Sequence, residues 1–480
     1  MTDTPPASNV LLVTVDSLRA DAVGAYDADR ETPVMDELAA RGTVFEHAYA
    51  TGNWTPFSFP SMLASRHVFS GDGSIGVSAG TTLAEVLSEA GFATAGYNAA
   101  NGFLSSHWDY DAGFEDYDSF VANVGSGLYG RYLATHPTVE AWLQVATAPA
   151  RRAKKLLRRQ TDDRPFLDTA RMFDVEHAAT EFLEDVEGDE PFFLWVHYMD
   201  VHTPYVPAKR YVQAVTEDSL GLHRKLLAHT YTGLGWEVGD RTLEDLRTLY
   251  QATVRQVDDS IGRLLDTLDE AGHADDTAIV LAGDHGEEFQ EHGHLSHYPK
   301  LYDELIHVPF IVDVPGADAR RVEEHVGLDD IPPTAADLVG VEGHPDWQGT
   351  SLAPTILRGE RPPDDPVVSV TVRGESVTTQ PIPRTLDDGE LLVSVREGPW
   401  TYIENVETGA RELYDRRSDS TQQTDLATDP TPAQREVMDR LASVVESHVA
   451  TLGDAGDADS PGEEDVDDAV EARLTALGYQ

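Results

Sequence analysis

Three apolar runs in this chain end in residues that bind metal ions or move protons. Ile279-Val280-Leu281-Ala282-Gly283 leads into Asp284-His285-Gly286. Asn9-Val10-Leu11-Leu12-Val13-Thr14-Val15 leads into Asp16, and Phe192-Phe193-Leu194-Trp195-Val196 leads into His197-Tyr198-Met199-Asp200-Val201-His202. Short apolar runs bounded in this way read as buried strands. Carboxylates and an imidazole delivered side by side at strand ends are the donor types that hold a divalent ion. The chemistry this implies is metal-dependent hydrolysis, in which an ion polarises the substrate and acidifies an attacking oxygen. Asp16 alone reads equally well as a helix cap, because Ser17-Leu18-Arg19 follow. Beside Asp284 and His285 the ligand reading takes precedence. The imidazole favours Zn²⁺ or Mn²⁺, with Mg²⁺ and Ca²⁺ left open.

Elements able to position these residues alternate from Asn9 to about Pro315, the pattern of a doubly wound α/β domain. A helix over Thr82–Gly91 precedes a strand over Ala93–Tyr97. The clearest helix spans Thr242–Ala271. Its apolar face is Leu243, Leu246, Tyr250, Val254, Val257, Ile261, Leu264 and Leu268, with Thr242 and Asp245 as a capping box and Gly272 as its stop. Beyond Pro315 a short helix over Pro332–Val339 and a link at Arg361-Pro362-Pro363 lead to a smaller α+β unit. Its antiparallel strands are Val367–Val372, Leu391–Arg396, Trp400–Glu404 and Glu412–Asp415, closed by a helix over Thr431–His448. The organisation is therefore 1–360, 361–452 and 453–480. The last part is an acidic linker, with eight acidic residues in Gly453–Asp468, and a short helix over Val470–Leu477.

The chain has 480 residues, no cysteine, and 35 basic against 85 acidic side chains, a net charge of −50. Acidic residues spread over the whole length point to a salt-adapted surface, since self-repulsion needs screening. They argue against a nucleic-acid partner. Without cysteine there is no disulfide framework, thiolate site or thiol nucleophile. Met1–Ser8 is short and polar, and no apolar run is long enough to span a bilayer, so a soluble cytoplasmic protein is expected. One basic island, Arg151–Arg159, holds six of the basic residues. It reads as a surface helix neutralising nearby carboxylates; its sharper reading is a weak contact with an anionic lipid surface or polyanionic substrate.

Longer motifs surround the strand ends. Leu11-Leu12-Val13-Thr14-Val15-Asp16-Ser17-Leu18-Arg19-Ala20-Asp21 opens the chain, and Val257-Asp258-Asp259-Ser260-Ile261-Gly262-Arg263-Leu264-Leu265 lies in the long helix. Gly286 to Pro309 contains Glu291-His292-Gly293 and Leu301-Tyr302-Asp303-Glu304; Asp329-Asp330-Ile331-Pro332-Pro333-Thr334 and Glu412-Leu413-Tyr414-Asp415 follow. Together they resemble the sulfatase family of the alkaline-phosphatase superfamily along nearly the whole chain. That resemblance implies an alkaline-phosphatase-like fold, with a large mostly parallel sheet between helices, and an ester hydrolase or phosphotransferase.

The sequence departs from sulfatases at the nucleophile, where they carry Cys or Ser in a motif matured to formylglycine. Here the region reads Trp54-Thr55-Pro56-Phe57-Ser58-Phe59-Pro60-Ser61-Met62-Leu63-Ala64-Ser65-Arg66. Aligning Ser58 with the nucleophile spoils the downstream spacing. Aligning Thr55 preserves it and matches a Trp-Thr variant of phosphate-transferring relatives, so the resemblance favours Thr55, with a modified Ser58 as the alternative. A helix beginning near Phe59 then places its N-terminus at the nucleophile. The implied ligand set is Asp16, Thr55, Asp284 and His285 around a divalent metal ion. His202 and His297 match family histidines that contact the transferred group. His197 and Asp200 with His297 are candidates for a second ion, but their spacing is tighter than in two-zinc relatives and none is assigned. His292 and His294 read as solvated loop histidines. The substrate expected is an anionic small-molecule, glycan or lipid-headgroup ester of phosphate or sulfate. Two rivals, a catalytically silent binding module and a phosphomutase, fit less well: the ligand set is complete, and the third motif is sulfatase-like.

Overall fold

The computed structural model describes residues 6–121, 171–217, 238–373 and 383–453, less 72, 187 and 189, together with 220 and 224. Strand β1 (Asn9–Val15) is buried along its whole length. Val10 and Leu12 pack into one apolar cluster, and Leu11, Val13 and Val15 into a second on the opposite face. A strand apolar on both faces belongs at the centre of a sheet covered on both sides. β5 (Phe192–Tyr198) and β6 (Thr277–Gly283) are equally buried and flank β1, both parallel to it.

Around this centre lie β2 (Thr43–Tyr49), β3 (Ala93–Asn98), β4 (Asp116–Asp118), β10 (Phe310–Asp313) and β11 (Arg320–Gly327). The order is β11-β2-β10-β6-β1-β5-β3-β4, and β9 (His307–Val308) pairs with β2. β10 and β9 run antiparallel to their neighbours and the other pairings are parallel, so the expected mostly parallel α/β sheet is present. Register then sets the site. Val15 lies opposite Tyr198 on one side and Gly283 on the other. Asp16 and Asp284 therefore leave the sheet at one level. The Asp16 N–H donates to Tyr198 O at 2.8 Å, and the Asp284 N–H to Val15 O at 3.2 Å.

The helix Asp240–Glu270 buries Leu246, Tyr250, Val254, Val257, Ile261, Leu264 and Leu268 in the second cluster, as their spacing predicts. Its start differs from expectation. Gly239 is the N-cap, so Thr242 lies inside the first turn and caps nothing, and Asp245 is instead bound to Arg224 Nε at 2.8 Å. Gly272 ends the helix as expected, with φ +85°.

The four antiparallel strands β12 (Val367–Arg373), β13 (Glu390–Glu397), β14 (Trp400–Asn405) and β15 (Arg411–Asp415) pair in that order. The helix Pro432–Val449 carries a true capping box, Thr431 with Gln434. β12 is seated on the segment before Thr55: the Val370 N–H donates to Thr51 O at 2.8 Å, and Ser369 Oγ to Ala50 O at 2.7 Å. A small hairpin, β7 (Glu288–Phe289) with β8 (Leu295–Ser296), stands beyond β6. No helix among the described residues is long and apolar enough to cross a membrane. The basic island Arg151–Arg159, residues 454–468 of the acidic segment and the helix expected over 470–477 lie outside the described residues.

Candidate active site

Asp16, Asp284 and His285 are completely buried and meet at the carboxyl ends of β1 and β6. Ser17 adopts φ +57°, a left-handed turn that aims its N–H at Asp284 Oδ1, 3.0 Å away, while its hydroxyl donates to Asp16 Oδ1 at 2.8 Å. His285 Nδ1 lies 2.9 Å from Gly286 O. A carbonyl only accepts, so Nδ1 carries the proton and Nε2 presents a lone pair. That Nε2 stands 3.7 Å from Asp16 Oδ1 and 3.7 Å from Asp284 Oδ2. Both gaps exceed a hydrogen bond and approach the spacing of two donors each roughly 2.1 Å from a shared ion.

Asp284 Oδ2 and His285 Nε2 are buried with no hydrogen-bond partner. Donor atoms of Asp16, Asp284 and His285 lie within 4.8 Å of one another, the one such trio among the described residues. Burial, reinforced by the Asp16 charge, pushes the Asp284 carboxyl well above the usual range. Burial opposes ionisation of Asp16 too, but the imidazoles of His202, His197 and His285 outweigh it and hold Asp16 low. Two carboxylates sharing one dry pocket repel, and a divalent cation removes that conflict. The donor set therefore fits such an ion.

Thr55 is the first residue of the helix Thr55–Ala64, which starts four residues earlier than the sequence suggested. The proline at the second position suits a first turn, where its missing N–H costs nothing. Thr55 Oγ1 donates to Asp16 Oδ2 at 3.3 Å. Asn101, which the sequence reading missed, places Nδ2 at 3.2 Å from Asp16 Oδ2 and 3.4 Å from Thr55 Oγ1. Ser58 is also buried, but its hydroxyl is spent on the Asp284 main-chain carbonyl at 2.6 Å.

Three imidazoles line up beside this pocket. The His297 ring centroid is 5.3 Å from that of His285 and 4.9 Å from that of His202. His202 Nδ1 lies 2.6 Å from Thr203 O, so its proton is on that nitrogen. His297 Nδ1 lies 3.3 Å from Glu287 Oε2, and the Tyr205 hydroxyl donates to Glu287 Oε1 at 2.6 Å. Burial pushes His202 down to about 4 and His297 down to about 3. Trp54 Nε1 donates to His297 O at 2.6 Å, and Asn53 Nδ2 to the same carbonyl at 3.3 Å, tying the loop before Thr55 to the His297 loop. The structure thus brings Asp16, Thr55, His202, Asp284, His285 and His297 into one site.

The second-ion set is not assembled. Asp200 Oδ1 accepts from Gln256 Nε2 at 3.3 Å, and His197 Nδ1 pairs with Thr14 Oγ1 at 3.0 Å, leaving His197 Nε2 3.7 Å from Asp16 Oδ2. His292 is not a solvated loop residue: its Nδ1 bonds Glu304 and its Nε2 lies 2.9 Å from Gln422 O. His294 is partly buried and stacks on Tyr298 with centroids 3.6 Å apart.

A family model described as Sulfatase matches residues 8–341. Among curated relatives, the choline-sulfatase of Rhizobium meliloti (strain 1021) is 27% identical over 51% of this chain and 48% of its own length. The multifunctional alkaline phosphatase superfamily protein PehA of Trinickia caryophylli is 27% identical over 39% of this chain, so the chain spans under half the length of either relative, 41% in this case. The uncharacterized sulfatase YidJ of Escherichia coli (strain K12) is 26% identical over 88% of this chain and 83% of that protein. Among solved structures, the phosphonate monoester hydrolase SpPMH from Silicibacter pomeroyi superposes with a TM-score of 0.66 at 22% identity, covering 93% of this chain and 96% of its own. The chain belongs to the sulfatase family, and its fold is that of the solved structure on which it superposes.

Proposed function

We propose that this protein cleaves a phosphate-type or sulfate ester by hydrolysis or transfer, with Thr55 as a metal-activated nucleophile. The observation that carries this reading is the contrast between two hydroxyls. Thr55 Oγ1 faces Asp16 and Asn101, whereas Ser58 Oγ is committed to the Asp284 carbonyl. Asp16, Thr55, Asp284 and His285 would hold the divalent cation, Zn²⁺ or Mn²⁺ by preference, which supplies Lewis-acid polarisation and acidifies the Thr55 hydroxyl.

Asp16 Oδ2 orients that hydroxyl by accepting its hydrogen bond. The Thr55 hydroxyl loses its proton to solvent water, and the new bond forms between Thr55 Oγ1 and the phosphorus or sulfur as the bond to the leaving oxygen breaks. The positive end of the Thr55–Ala64 helix dipole favours the anionic group there. At neutral pH His202 and His297 are unprotonated, and the anionic ester raises their proton affinity on binding. Once protonated, His202 donates through Nε2 to the leaving oxygen, because Nδ1 is already bound. Glu287 lies on His297 Nδ1 and fixes that ring. Water or an alcohol then resolves the ester on Thr55. Threonine lacks the aldehyde-hydrate route that releases sulfate from formylglycine, and this tilts the reading towards phosphate esters. The substrate class is an anionic small-molecule, glycan or headgroup ester, and residues 361–452 form the smaller unit packed beside 1–360.

The test loads the full chain separately with Mn²⁺, Zn²⁺, Mg²⁺ and Ca²⁺ and assays nitrophenyl sulfate, phosphate monoester and phosphate diester. Thr55→Ala is expected to lower phosphoester turnover by on the order of 10⁴-fold or more, with Ser58→Ala retaining most of it. Sulfate release that is lost in Ser58→Ala and kept in Thr55→Ala would overturn the assignment. The net charge of −50 supports salt adaptation as part of the proposal. Raising KCl from about 0.1 M to about 1 M, which shortens screening from ~10 to ~3 Å, is expected to raise the thermal midpoint by several degrees. A flat response removes that element.

A further inference from the structure

A cavity of about 800 Å³ opens between the β2–β11 edge of the large sheet and the four-stranded sheet, and no residue of the candidate active site lines it. Its floor is built from both sheets. His47 and His325 are register partners on β2 and β11, with ring centroids 5.5 Å apart, and His307 lies 6.0 Å from His47. Arg416, just beyond β15, reaches in from the other sheet. Its side chain is 12% exposed, one Nη donates to His325 Nε2 at 2.7 Å, and its Nε is buried with no hydrogen-bond partner.

The charge there is out of balance. The carboxylate paired with Arg416 is Asp303, at 3.9 Å. Asp303 Oδ1 already accepts two bonds from the fully buried Arg396, at 2.9 and 3.2 Å, and one from Gln422 at 3.1 Å. Two buried guanidiniums thus share one carboxylate. Nearer the rim carboxylates outnumber cations: Arg19 pairs with Asp21 and Glu291, and Arg361 with Glu324 and Asp364, while Glu323 faces solvent, so the excess of positive charge is confined to Arg416 and Arg396 at the floor. Burial, with Arg416 next in weight, pushes His47 down to about 4, and burial alone brings Arg416 down to about 10. A buried cation short of partners is costly, and an anion is its complement.

Transition-metal binding does not fit the imidazole cluster. His325 Nε2 is occupied by Arg416, and His307 Nε2, 2.8 Å from Glu46 O, is an N–H donor.

We propose that this cavity binds a tetrahedral oxyanion, sulfate or phosphate, through the Arg416 guanidinium and the His47 imidazole. Arg is suited to this task because its planar fork donates several hydrogen bonds to one oxyanion. The volume exceeds that of a bare oxyanion, so the ligand is either the free ion or an oxyanion group on a larger molecule. This inference does not depend on the identity of the nucleophile.

Equilibrium dialysis of the metal-loaded full chain with labelled inorganic sulfate and phosphate, at constant ionic strength in KCl, tests it. Wild type is expected to bind at two sites per chain. Arg416→Gln is expected to lose one site while retaining ester turnover, and Asp284→Asn to lose the other. Loss of a site in Arg416→Gln alone upholds the cavity even if the active-site reading fails. His47→Gln, a milder change, is expected to weaken the same site by about fivefold or more. A disulfated saccharide that binds more tightly than sulfate, in an Arg416-dependent way, assigns the site to a group on a larger ligand; equal affinity assigns it to the free ion. Unchanged stoichiometry in Arg416→Gln and His47→Gln, or displacement by chloride as effective as by sulfate, would overturn the proposal.

Discussion

At the carboxyl ends of β1 and β6, two buried carboxylates stand 3.7 Å from one imidazole nitrogen, and neither contact is a hydrogen bond. At the β2–β11 edge, a buried guanidinium with an unbonded Nε faces neutral imidazoles. The first place carries surplus negative charge, and at the second two guanidiniums share the Asp303 carboxylate. Both were assembled from strand neighbours, yet their construction differs. The first collects residues that immediately follow parallel strands, where the ladder fixes their level. The second joins two different sheets, so its geometry depends on how those sheets pack. Buried charge of either sign lowers stability until a ligand completes it, and this gives a common way to test both regions.

The larger effect belongs to the carboxylate pocket. In chelated protein, Asp284→Asn removes the repulsion with Asp16 and is expected to stabilise the fold by about 1–2 kcal/mol in urea titration. The same variant loses the stabilisation that added metal gives wild type. Arg416→Met, in buffer free of oxyanions, is expected to raise stability by a smaller amount, about 1 kcal/mol. Destabilisation by either substitution without ligand would break the parallel.

A third buried group sharpens the comparison because it becomes charged only in acid. His67 stacks edge-on against His448 with centroids 4.7 Å apart, and its Nε2 is 3.8 Å from Asp329. Burial pushes His67 from 6.5 to about 4. The unfolded chain therefore takes up this proton first, and stability is lost as pH falls from about 6.5 through about 4. Asp329, raised by burial to about 6, works in the opposite direction, since its folded carboxyl gains a proton more easily as pH falls. His67→Gln removes the His67 contribution, for which that shift sets an upper bound of about 3 kcal/mol between neutral pH and the acid end of the window, while Asp329 and His448 keep theirs. An unchanged slope in denaturation series at the two pH values would show that the cluster adds nothing.

How much of this was legible follows from distance along the chain. β1, β5 and β6 could be read because each is a continuous apolar run, and Asp16, Asp284 and His285 because they follow such runs directly. Asn101 escaped notice although it lies just past β3, which sits beside β5 in the same sheet. Its signal was the same strand-end rule, hidden by the intervening turn in which Ala100 adopts φ +58°. The early start of the helix at Thr55 was missed because Pro56 and Pro60 look like breakers, whereas Pro56 fits the first turn and Pro60 is carried inside the helix. The Thr242–Asp245 signature misled because it is purely local, while Arg224 claims Asp245 from another part of the chain. His292 and Arg416 were the least readable. Their partners, Gln422 and His325, are respectively 130 and 91 positions away.

The register of β1 carries an evolutionary consequence. Val15 is level with both Tyr198 and Gly283, so a residue inserted into or deleted from β1 would swing Asp16 to the opposite face of the sheet. An insertion or deletion within β1 is therefore expected to dismantle the site. New substrate preferences must arise in the loops beyond the strands, where length can change without misplacing a ligand.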